Sequence, residues 1–312
     1  MSSPNTVRFL EPNPRAAASS VPAFEARDRR VARFYEGALP GFFGPARDSA
    51  SAAIHLGFWD GGTRDHREAA VNANRMLASK VGLGPGERVL DAGCGAGGSA
   101  VWLARELGAR VVGVNLSPGQ IYRARRLAHA QGVSDRVSFG RQDFNATTFP
   151  DGCFDVVWAQ ESVCHVEDKE PFLWEASRLL KPGGRVVVAD RFRCARPFGA
   201  EEEALLGHWL SGWAVPDLPT VGEFVEAARR AGLSGFRVED ATADVWPSLV
   251  RMRAKALVGY PSAKALRGFG LCTDAQLAGV RAGLAQFEAL GRGLWAYAIF
   301  VAARDGRDAE NS

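Results

Sequence analysis

The chain has 312 residues, of which 46% are apolar, and a formal net charge of +3 at pH 7. This length is sufficient for one complete core with an additional cap. No apolar run approaches the roughly 20 residues of a membrane-spanning helix. The charge is also too mild for a typical nucleic-acid-binding protein, which carries a strong basic patch. We therefore expect a small-molecule partner, and neither a membrane nor a nucleic acid.

The cysteines and the first residues of the sequence bear on the compartment. The five cysteines are scattered and include no Cys-x-x-Cys pair of the kind found in zinc sites. The first residues lack the charged and apolar regions of a secretory signal. Together these features predict free thiols and a reducing, cytoplasmic compartment.

The N-terminal part of the chain has two predicted sections. Residues 1–22 are rich in Pro, Ser and Ala without a hydrophobic period, which predicts a disordered N-terminus. Residues 23–65 form a cap, with a short amphipathic helix over 24–36 and aromatic residues beside glycines in the segment Ile-His-Leu-Gly-Phe-Trp-Asp at 54–60. Such a segment either packs the cap onto the core or closes over a ligand. We expect it to act as a lid, with Phe58 and Trp59 near the substrate.

The rest of the chain alternates between strand and helix patterns, which predicts an α/β fold. We expect a doubly wound, mostly parallel, seven-stranded sheet within a core domain over 66–304. Lid helices are predicted at about 199–233 and 246–292, and a disordered tail at 305–312. The predicted strands are 88–93, 109–115, 137–143, 154–160, 185–190, 236–243 and 295–303. Ligands of such folds bind at the carboxyl ends of the strands.

A glycine-rich turn follows the first predicted strand of the core. Residues 88–99 read Arg-Val-Leu-Asp-Ala-Gly-Cys-Gly-Ala-Gly-Gly-Ser, which is the strand, glycine turn and helix start of a nucleotide-binding unit. Asp91 precedes the first glycine, and the spacing is Asp-x-Gly-x-Gly-x-Gly instead of Gly-x-Gly-x-x-Gly. A carboxylate there would repel a pyrophosphate. It suits a ligand that carries a cationic amine and hydroxyls, such as S-adenosylmethionine.

This turn resembles the cofactor loop of the class I S-adenosylmethionine-dependent methyltransferases. The resemblance implies that a final strand is inserted antiparallel beside strand six. At the end of strand two, Asn115 stands where this family usually has an acid for the ribose hydroxyls, and Asn can also donate and accept. Asp143 would accept from the adenine amino group, and Phe144 would pack on the ring. The implied cofactor contacts are Asp91, Gly93, Gly95, Asn115, Leu116, Gln120, Asp143, Phe144 and Gln160.

Three segments resemble a narrower group, the tocopherol and geranyl diphosphate C-methyltransferases. They are Gly-Val-Asn-Leu-Ser-Pro at 113–118, Trp-Ala-Gln-Glu-Ser at 158–162 and Trp-Pro-Ser-Leu-Val-Arg-Met-Arg-Ala-Lys at 246–255. The resemblance implies C-methylation of a short prenyl diphosphate, with Mg²⁺ on the diphosphate. Methylation of an alkene leaves a carbocation, which requires a base. Glu161 is the first candidate for this base, His165 the second, and Glu170 is held in reserve; a Glu161 that only binds the cap is the structural alternative.

The same hypothesis assigns two kinds of substrate contact. Arg251 and Lys255 share one helix face, and Arg191 follows strand five, so these cations would bind an anion. A solvated basic face is the plainer alternative. Aromatic faces stabilise a cation by about 0.5–2 kcal/mol each, and they would come from residues predicted near the lid: Phe58, Trp59, Trp209, Trp213 and Trp246.

Two other functions stay open at this point. O- or N-methylation of a phenol, sugar or amine needs only one base and predicts activity without Mg²⁺. A non-catalytic cofactor-binding protein would bind the cofactor without turnover. The sequence assigns no metal ligands, and a homo-oligomer is possible in either case.

Overall fold

The computed structural model describes residues 55–269 and 272–306. The predicted disordered start at 1–22, the cap over 23–54 and the tail from 307 lie outside the described residues. Within them, the chain forms helices α1 to α8 and strands β1 to β7. In chain order these are α1 His66–Lys80, β1 Arg88–Ala92, α2 Gly98–Leu107, β2 Arg110–Asn115, α3 Pro118–Ala130, β3 Val137–Arg141, β4 Phe154–Gln160, α4 Glu170–Leu179, β5 Leu180–Arg193, α5 Ala200–Gly212, α6 Val221–Arg230, β6 Leu233–Asp240, α7 Thr242–Gly268, α8 Asp274–Gly291 and β7 Trp295–Arg304.

The strands form one sheet in the order β3-β2-β1-β4-β5-β7-β6. β1 to β5 pair in parallel, whereas β7 lies between β5 and β6 and is antiparallel to both. The strand order reverses between β1 and β4, which is where open α/β sheets bind their ligands. The doubly wound, mostly parallel sheet predicted from the sequence is confirmed.

Both faces of the sheet are buried because its strands alternate between two apolar layers. In β1, for example, Val89 belongs to one layer and Leu90 to the other. The first layer packs against helices α1, α2, α3, α5, α7 and α8, and the second against α4 and α6. Strands covered on both faces are typical of parallel sheets, and here they hold the strand ends of β1 and β4 side by side.

The structure corrects several predicted boundaries after β4. β5 begins at Leu180, five residues before the predicted start, and β6 ends at Asp240 instead of residue 243. α7 starts at Thr242 and continues to Gly268 through Pro247 and Pro261. Proline usually ends a helix because it lacks an N–H group, so the sequence pattern suggested a shorter helix. In the structure, the longer helix α7 packs against α8.

The predicted lid region separates into two parts. α5 packs against α8, and α8 packs against α7, so these helices form one layer. α6 instead packs on the opposite face, where Phe224 meets Phe192 of β5 and Phe300 of β7. The prediction of a lid over 199–233 therefore does not describe α6, which is an ordinary helix of the sheet. No helix in the described part of the chain is long and apolar enough to cross a membrane.

Candidate active site

The glycine turn is fixed to the ends of three strands. The N–H groups of Gly93 and Cys94 both donate to the carbonyl oxygen of Val114 at 3.0 Å. Gly93 has φ 89°, in the region that favours glycine, and a Cβ there would lie 2.4 Å from the Cβ of Ser162 after β4. The turn therefore approaches both β2 and the β4 end, and it leads directly into the N-terminus of α2.

Asp91 is a buried acid with an oxygen that lacks a partner. The residue is 3% exposed, and its Oδ2 has no hydrogen-bond partner within the described residues. Burial raises the pKa of Asp91 to about 7, although a backbone hydrogen bond from Ala100 acts in the opposite direction. A buried carboxylate without a partner is costly, so this oxygen favours a cationic or hydrogen-bond-donating ligand.

The other predicted cofactor residues lie at the neighbouring strand ends. Nδ2 of Asn115 donates to Oε1 of Gln120 at 2.6 Å, and both Gln120 and Leu116 are buried. The ring of Phe144 comes within 3.6 Å of the Cβ position of Gly93. Oδ1 of Asp143 accepts from a backbone N–H two residues later at 2.9 Å. The structure therefore brings this set together at one edge of the sheet.

Glu161 is held by three donors from distant parts of the chain. Its Oε2 accepts from Arg191 of β5 at 2.6 Å, and its Oε1 accepts from the Leu56 N–H at 2.7 Å and from the Tyr297 hydroxyl at 3.1 Å. The Arg191 and Glu161 side chains are only 5% and 9% exposed. Glu161 also has φ 52°, an uncommon conformation that is often found at functional sites. Sequence reasoning missed Tyr297.

His55 lies beside Glu161, next to the end of β4. Its Nδ1 is 2.9 Å from the Leu56 carbonyl oxygen and 3.0 Å from the side-chain amide of Gln160. Its Nε2 is buried and has no partner among the described residues. Burial lowers the pKa of His55, and the Glu161 carboxylate raises it in part. Sequence reasoning also missed His55; the signal for it was a histidine within the aromatic segment 54–60.

The two reserve bases lie elsewhere. Glu170 forms an ion pair with Arg230 of α6 and opens into a separate cleft of about 420 Å³ that Arg196 and Glu223 also line. His165 lies in a short 3₁₀ turn and contacts the Ala214 carbonyl oxygen through Nδ1 at 3.2 Å. The structure does not bring Glu170 to the strand ends, because α4 directs its first turn toward α6.

Three of the predicted substrate residues lie inside the protein. Arg191 is buried in its pair with Glu161 and lies 5.8 Å from the ring centre of Trp213. Trp213 donates from Nε1 to the Gly279 carbonyl oxygen at 3.1 Å. Trp209 is completely buried and packs on Trp295 at 4.9 Å. These side chains join α5 to the sheet and to α8, so they are packing residues in this arrangement.

The remaining predicted substrate residues lie where the segment after His55 meets α7. Trp59 donates from Nε1 to Ser248 Oγ at 2.8 Å, and the Arg251 guanidinium lies 3.7 Å from its ring centre. Phe58 is buried and packs edge-on against Tyr297. Lys255 is exposed one turn after Arg251, and Trp246 is 40% exposed and packs on Phe287.

Comparison with known proteins gives one family. Residues 90–188 match the family described as "Methyltransferase domain". Over 220 residues the chain is 34% identical to a probable chloroplastic tocopherol O-methyltransferase of Oryza sativa subsp. japonica. The aligned region covers 64% of this chain and 59% of the relative. Over 195 residues it is 34% identical to the 27-O-demethylrifamycin SV methyltransferase of Amycolatopsis mediterranei. This alignment covers 62% of this chain and 71% of the relative.

The chain belongs to the methyltransferase family. It is an S-adenosylmethionine-dependent methyltransferase, as the resemblance of the glycine turn implied. A solved structure of geranyl diphosphate C-methyltransferase from Streptomyces coelicolor A3(2), in complex with Mg²⁺, geranyl diphosphate and S-adenosyl-L-homocysteine, matches with a TM-score of 0.67 at 22% identity and covers 89% of this chain and 98% of that chain. At this identity the likeness establishes the fold of the methyltransferase and not its acceptor.

The residues of the methyltransferase fit its cofactor. S-adenosylmethionine supplies a methyl group on a cationic sulfonium, and it also carries a cationic amino group. The unpartnered Oδ2 of Asp91 has the charge and burial to bind that amino group. Gly93 permits close approach of the backbone. The N-terminus of α2 offers N–H groups to a carboxylate. Asp91, Gly93, Asn115 and Phe144 are therefore the residues that would hold it.

The described residues do not provide a resident metal site. Among residues 55–269 and 272–306, no group of three or more His, Cys, Asp or Glu side chains is arranged to hold a metal ion. Mg²⁺ binds mainly through carboxylates and substrate phosphates.

Proposed function

We propose that this methyltransferase transfers the methyl group to a hydroxyl-bearing acceptor, a phenol or an alcohol on an apolar skeleton. Methyl transfer requires an acceptor atom in line with the sulfonium carbon, and the protein mainly positions that atom and excludes water. A hydroxyl oxygen becomes a strong nucleophile when one base removes its proton. The acceptor would bind between the β4 end and the segment that carries Phe58 and Trp59.

The observation that carries the proposal is the state of the Glu161 carboxylate. Both of its oxygens accept hydrogen bonds, from Arg191, Tyr297 and the Leu56 N–H. The prenyl diphosphate hypothesis takes Glu161 as its first candidate for the base that deprotonates a carbocation. A carboxylate with three donors, one of them a buried guanidinium, instead joins the N-terminal segment to β5 and β7. This arrangement matches the structural alternative for Glu161 that the sequence left open.

The names of the relatives support the same class of acceptor. One is described as an O-methyltransferase of tocopherol, and the other acts on an O-demethylated rifamycin. In phenols, loss of the hydroxyl proton raises the electron density on the oxygen and on the ring carbons beside and opposite it. The same base would therefore serve transfer to oxygen or to the ring.

An acceptor screen tests the proposal. The protein is incubated with S-adenosylmethionine, with EDTA or with Mg²⁺, and with a panel of alkyl-substituted phenols, hydroquinones, alcohols and geranyl diphosphate, and products are identified by mass. We expect a gain of one methyl group that is unaffected by EDTA. Methylation of geranyl diphosphate alone, dependent on Mg²⁺, would contradict the proposal.

C-methylation of a short prenyl diphosphate is the second candidate, and one observation favours it. Arg251 and Lys255 are exposed one turn apart, and within the described ranges neither forms an ion pair with a carboxylate. Arg251 also lies against Trp59, at the outer end of the proposed acceptor site. Two such cations would bind a diphosphate, and the fold of the Streptomyces coelicolor enzyme accommodates one together with Mg²⁺.

The two candidates differ in their response to Arg251→Ala. For a diphosphate acceptor, loss of a charge-assisted contact should raise KM about tenfold or more. For a hydroxyl acceptor without charge, KM should change less than about threefold. Lys264→Ala, an exposed cation further along α7, is the matched control for a general effect of charge.

A further inference from the structure

His55 carries a buried nitrogen that no part of the described structure uses. We propose that His55 is the general base that accepts the hydroxyl proton of the acceptor at its Nε2. The inference rests on the proposed function. Three observations support it: the contact of Nδ1 with a backbone carbonyl oxygen, the absence of a partner for Nε2 among the described residues, and the engagement of the other candidate bases.

The contact with Leu56 fixes the tautomer of the neutral ring. Nδ1 of His55 lies 2.9 Å from the Leu56 carbonyl oxygen, which can only accept. Two acceptors at this distance would repel, so Nδ1 carries the proton. Nε2 then carries the lone pair. A backbone carbonyl that binds Nδ1–H in this way also orients the ring, so the lone pair has one fixed direction.

The neighbouring side chains agree with this tautomer. Ser99 Oγ lies 3.0 Å from Asn74 Oδ1 and 3.2 Å from the Gln160 side-chain oxygen. The hydroxyl proton of Ser99 can be donated fully to only one of these oxygens. Turning the Gln160 amide by 180°, an exchange of atoms that are hard to distinguish, lets its nitrogen donate to Ser99. Its oxygen then shares the Nδ1 proton of His55 with the Leu56 carbonyl oxygen.

Burial keeps the His55 ring neutral, and the Glu161 carboxylate stabilises the proton once it is accepted. Burial lowers its pKa below the ordinary value of 6.5, so the lone pair is available at neutral pH. Glu161 on the β4 end acts in the opposite direction and is itself paired with Arg191 of β5. His66, at the start of α1, interacts electrostatically with His55, and its pKa is lowered by burial, by His55 and by Lys255 of α7.

The other candidate bases are engaged or misplaced. Glu161 accepts three hydrogen bonds, His165 contacts the Ala214 carbonyl, and Glu170 is paired with Arg230. His55 is the histidine of the described chain that combines a buried, unpartnered ring nitrogen with a place beside the β4 end. Its position next to Gln160 puts it at the strand-order reversal, where the reacting atoms of such folds meet.

The step balances without any further reactant. The acceptor O–H bond breaks, and its proton moves to Nε2 of His55. The electron pair left on oxygen forms the new bond to the methyl carbon as the carbon–sulfur bond breaks and its pair remains on sulfur. The positive charge of the sulfonium is thereby replaced by that of the imidazolium, which lies beside Glu161. The ring then releases the proton to water.

Substitution by asparagine tests the role of Nε2. His55→Asn keeps a donor near the Nδ1 position and removes Nε2. For an un-ionised alkylphenol, we expect a loss of about 10²- to 10⁴-fold in kcat, with the affinity for S-adenosylmethionine unchanged. An ortho-nitro analogue of the same phenol, whose hydroxyl is mostly ionised at mildly alkaline pH, should there restore the rate to within a few fold of the unmodified protein. His129→Asn, at an exposed position in the last turn of α3, is the control.

The pH profile and an activity-independent measurement complete the test. With S-adenosylmethionine saturating, so that Asp91 is held ionised, the unmodified protein should lose kcat/KM for the phenol only at a pH below the ordinary histidine value of 6.5, whereas His55→Asn should gain about tenfold per pH unit as the phenol ionises. Nitrogen NMR of the imidazole should show the proton on Nδ1 and a neutral ring at pH 7. A proton on Nε2, or equal rates for His55→Asn and the unmodified protein, would overturn the inference and leave the proposed function intact. Failure of the unmodified protein to methylate any hydroxyl acceptor would overturn both.

Discussion

Replacement of Asp91 by asparagine should stabilise the free protein and remove its affinity for S-adenosylmethionine. The carboxyl is 3% exposed, and its Oδ2 has no partner in the described structure. Burial raises its pKa from the ordinary value of 3.8 to about 7. The raised pKa means that ionisation of Asp91 is unfavourable in the free folded protein. The cationic amino group of the bound cofactor would make ionisation favourable.

The magnitude follows from the pKa. A shift from 3.8 to about 7, at about 1.4 kcal/mol per unit, corresponds to roughly 4 kcal/mol. The amide of asparagine would itself lack a partner, which costs about 1–3 kcal/mol. The net gain in the free energy of unfolding at pH 8 is therefore about 1–3 kcal/mol. For a protein of this size each kcal/mol corresponds to about 2–4 °C in Tm.

The dependence on pH has a definite sign. Because the folded pKa is raised, the stability that protonated Asp91 contributes is full below pH 3.8 and is lost as the pH rises through about 7. The Tm advantage of Asp91→Asn should therefore grow between pH 5 and pH 8. Saturating S-adenosylmethionine should raise the Tm of the unmodified protein and leave that of the variant unchanged.

Thermal unfolding at several pH values, with isothermal titration of the cofactor, measures both effects. Asp155→Asn is the matched control: burial raises the pKa of Asp155, but hydrogen bonds from Lys181 and the Arg88 N–H lower it overall. This variant should be destabilised by about 1 kcal/mol and should still bind the cofactor. An Asp91→Asn variant that binds S-adenosylmethionine normally, or whose advantage does not grow with pH, would refute the reasoning.

Three further predictions concern the same site. Glu161→Gln should destabilise the protein by about 1.5–3 kcal/mol, the usual range for a buried hydrogen bond to a charged group, because Asp190 stays beside the Arg191 guanidinium at 3.6 Å as its remaining carboxylate. In urea unfolding, Glu170→Gln at the exposed pair with Arg230 should cost less than about 1 kcal/mol, and equal midpoints for the two variants would argue against this. Gly93→Ala should weaken cofactor binding at least tenfold, since its Cβ would lie 2.4 Å from that of Ser162. Gly132→Ala, also at positive φ but with nothing within 4 Å, should cost about 1 kcal/mol and spare the affinity measured by calorimetry. Arg251→Ala should change the KM of an uncharged hydroxyl acceptor less than threefold; a tenfold rise in steady-state assays would point to an anionic acceptor.

Local patterns were sufficient to predict the sheet and the cofactor edge. The glycine turn after Asp91 and the alternation of strands and helices each depend on a few neighbouring residues. The strand ends then meet at one edge because parallel strands share a direction. For this reason the sequence alone places Asn115 and Phe144, which are 29 residues apart, at the same edge of the sheet.

Contacts between distant segments could not be predicted in the same way. The donors to Glu161 come from Leu56, Arg191 and Tyr297, which no local pattern connects. The sequence therefore did not indicate that Glu161 and Arg191 form a buried ion pair with each other. Trp209 was predicted at the substrate because it lies in the predicted lid, where an aromatic face would stabilise a carbocation, yet it is completely buried against Trp295.

Helix α7 illustrates a second reason. Pro247 and Pro261 lie within it, and proline lowers helix propensity by about 3 kcal/mol, so local propensity does not favour one continuous helix. The structure continues it to Gly268. Packing against neighbouring elements commonly overrides local propensity, and the sequence does not reveal that packing.

The position of the transferred methyl group tests the central claim most directly. The unmodified protein is incubated with S-adenosylmethionine labelled with ¹³C in its methyl group, together with an alkylphenol, geranyl diphosphate and Mg²⁺, and the product methyl is observed by carbon NMR. The account predicts a methyl on the phenol, on its oxygen or on a ring carbon activated by its hydroxyl, formed equally well after Mg²⁺ is chelated. A label found only on the prenyl chain, and lost with chelation, would contradict it.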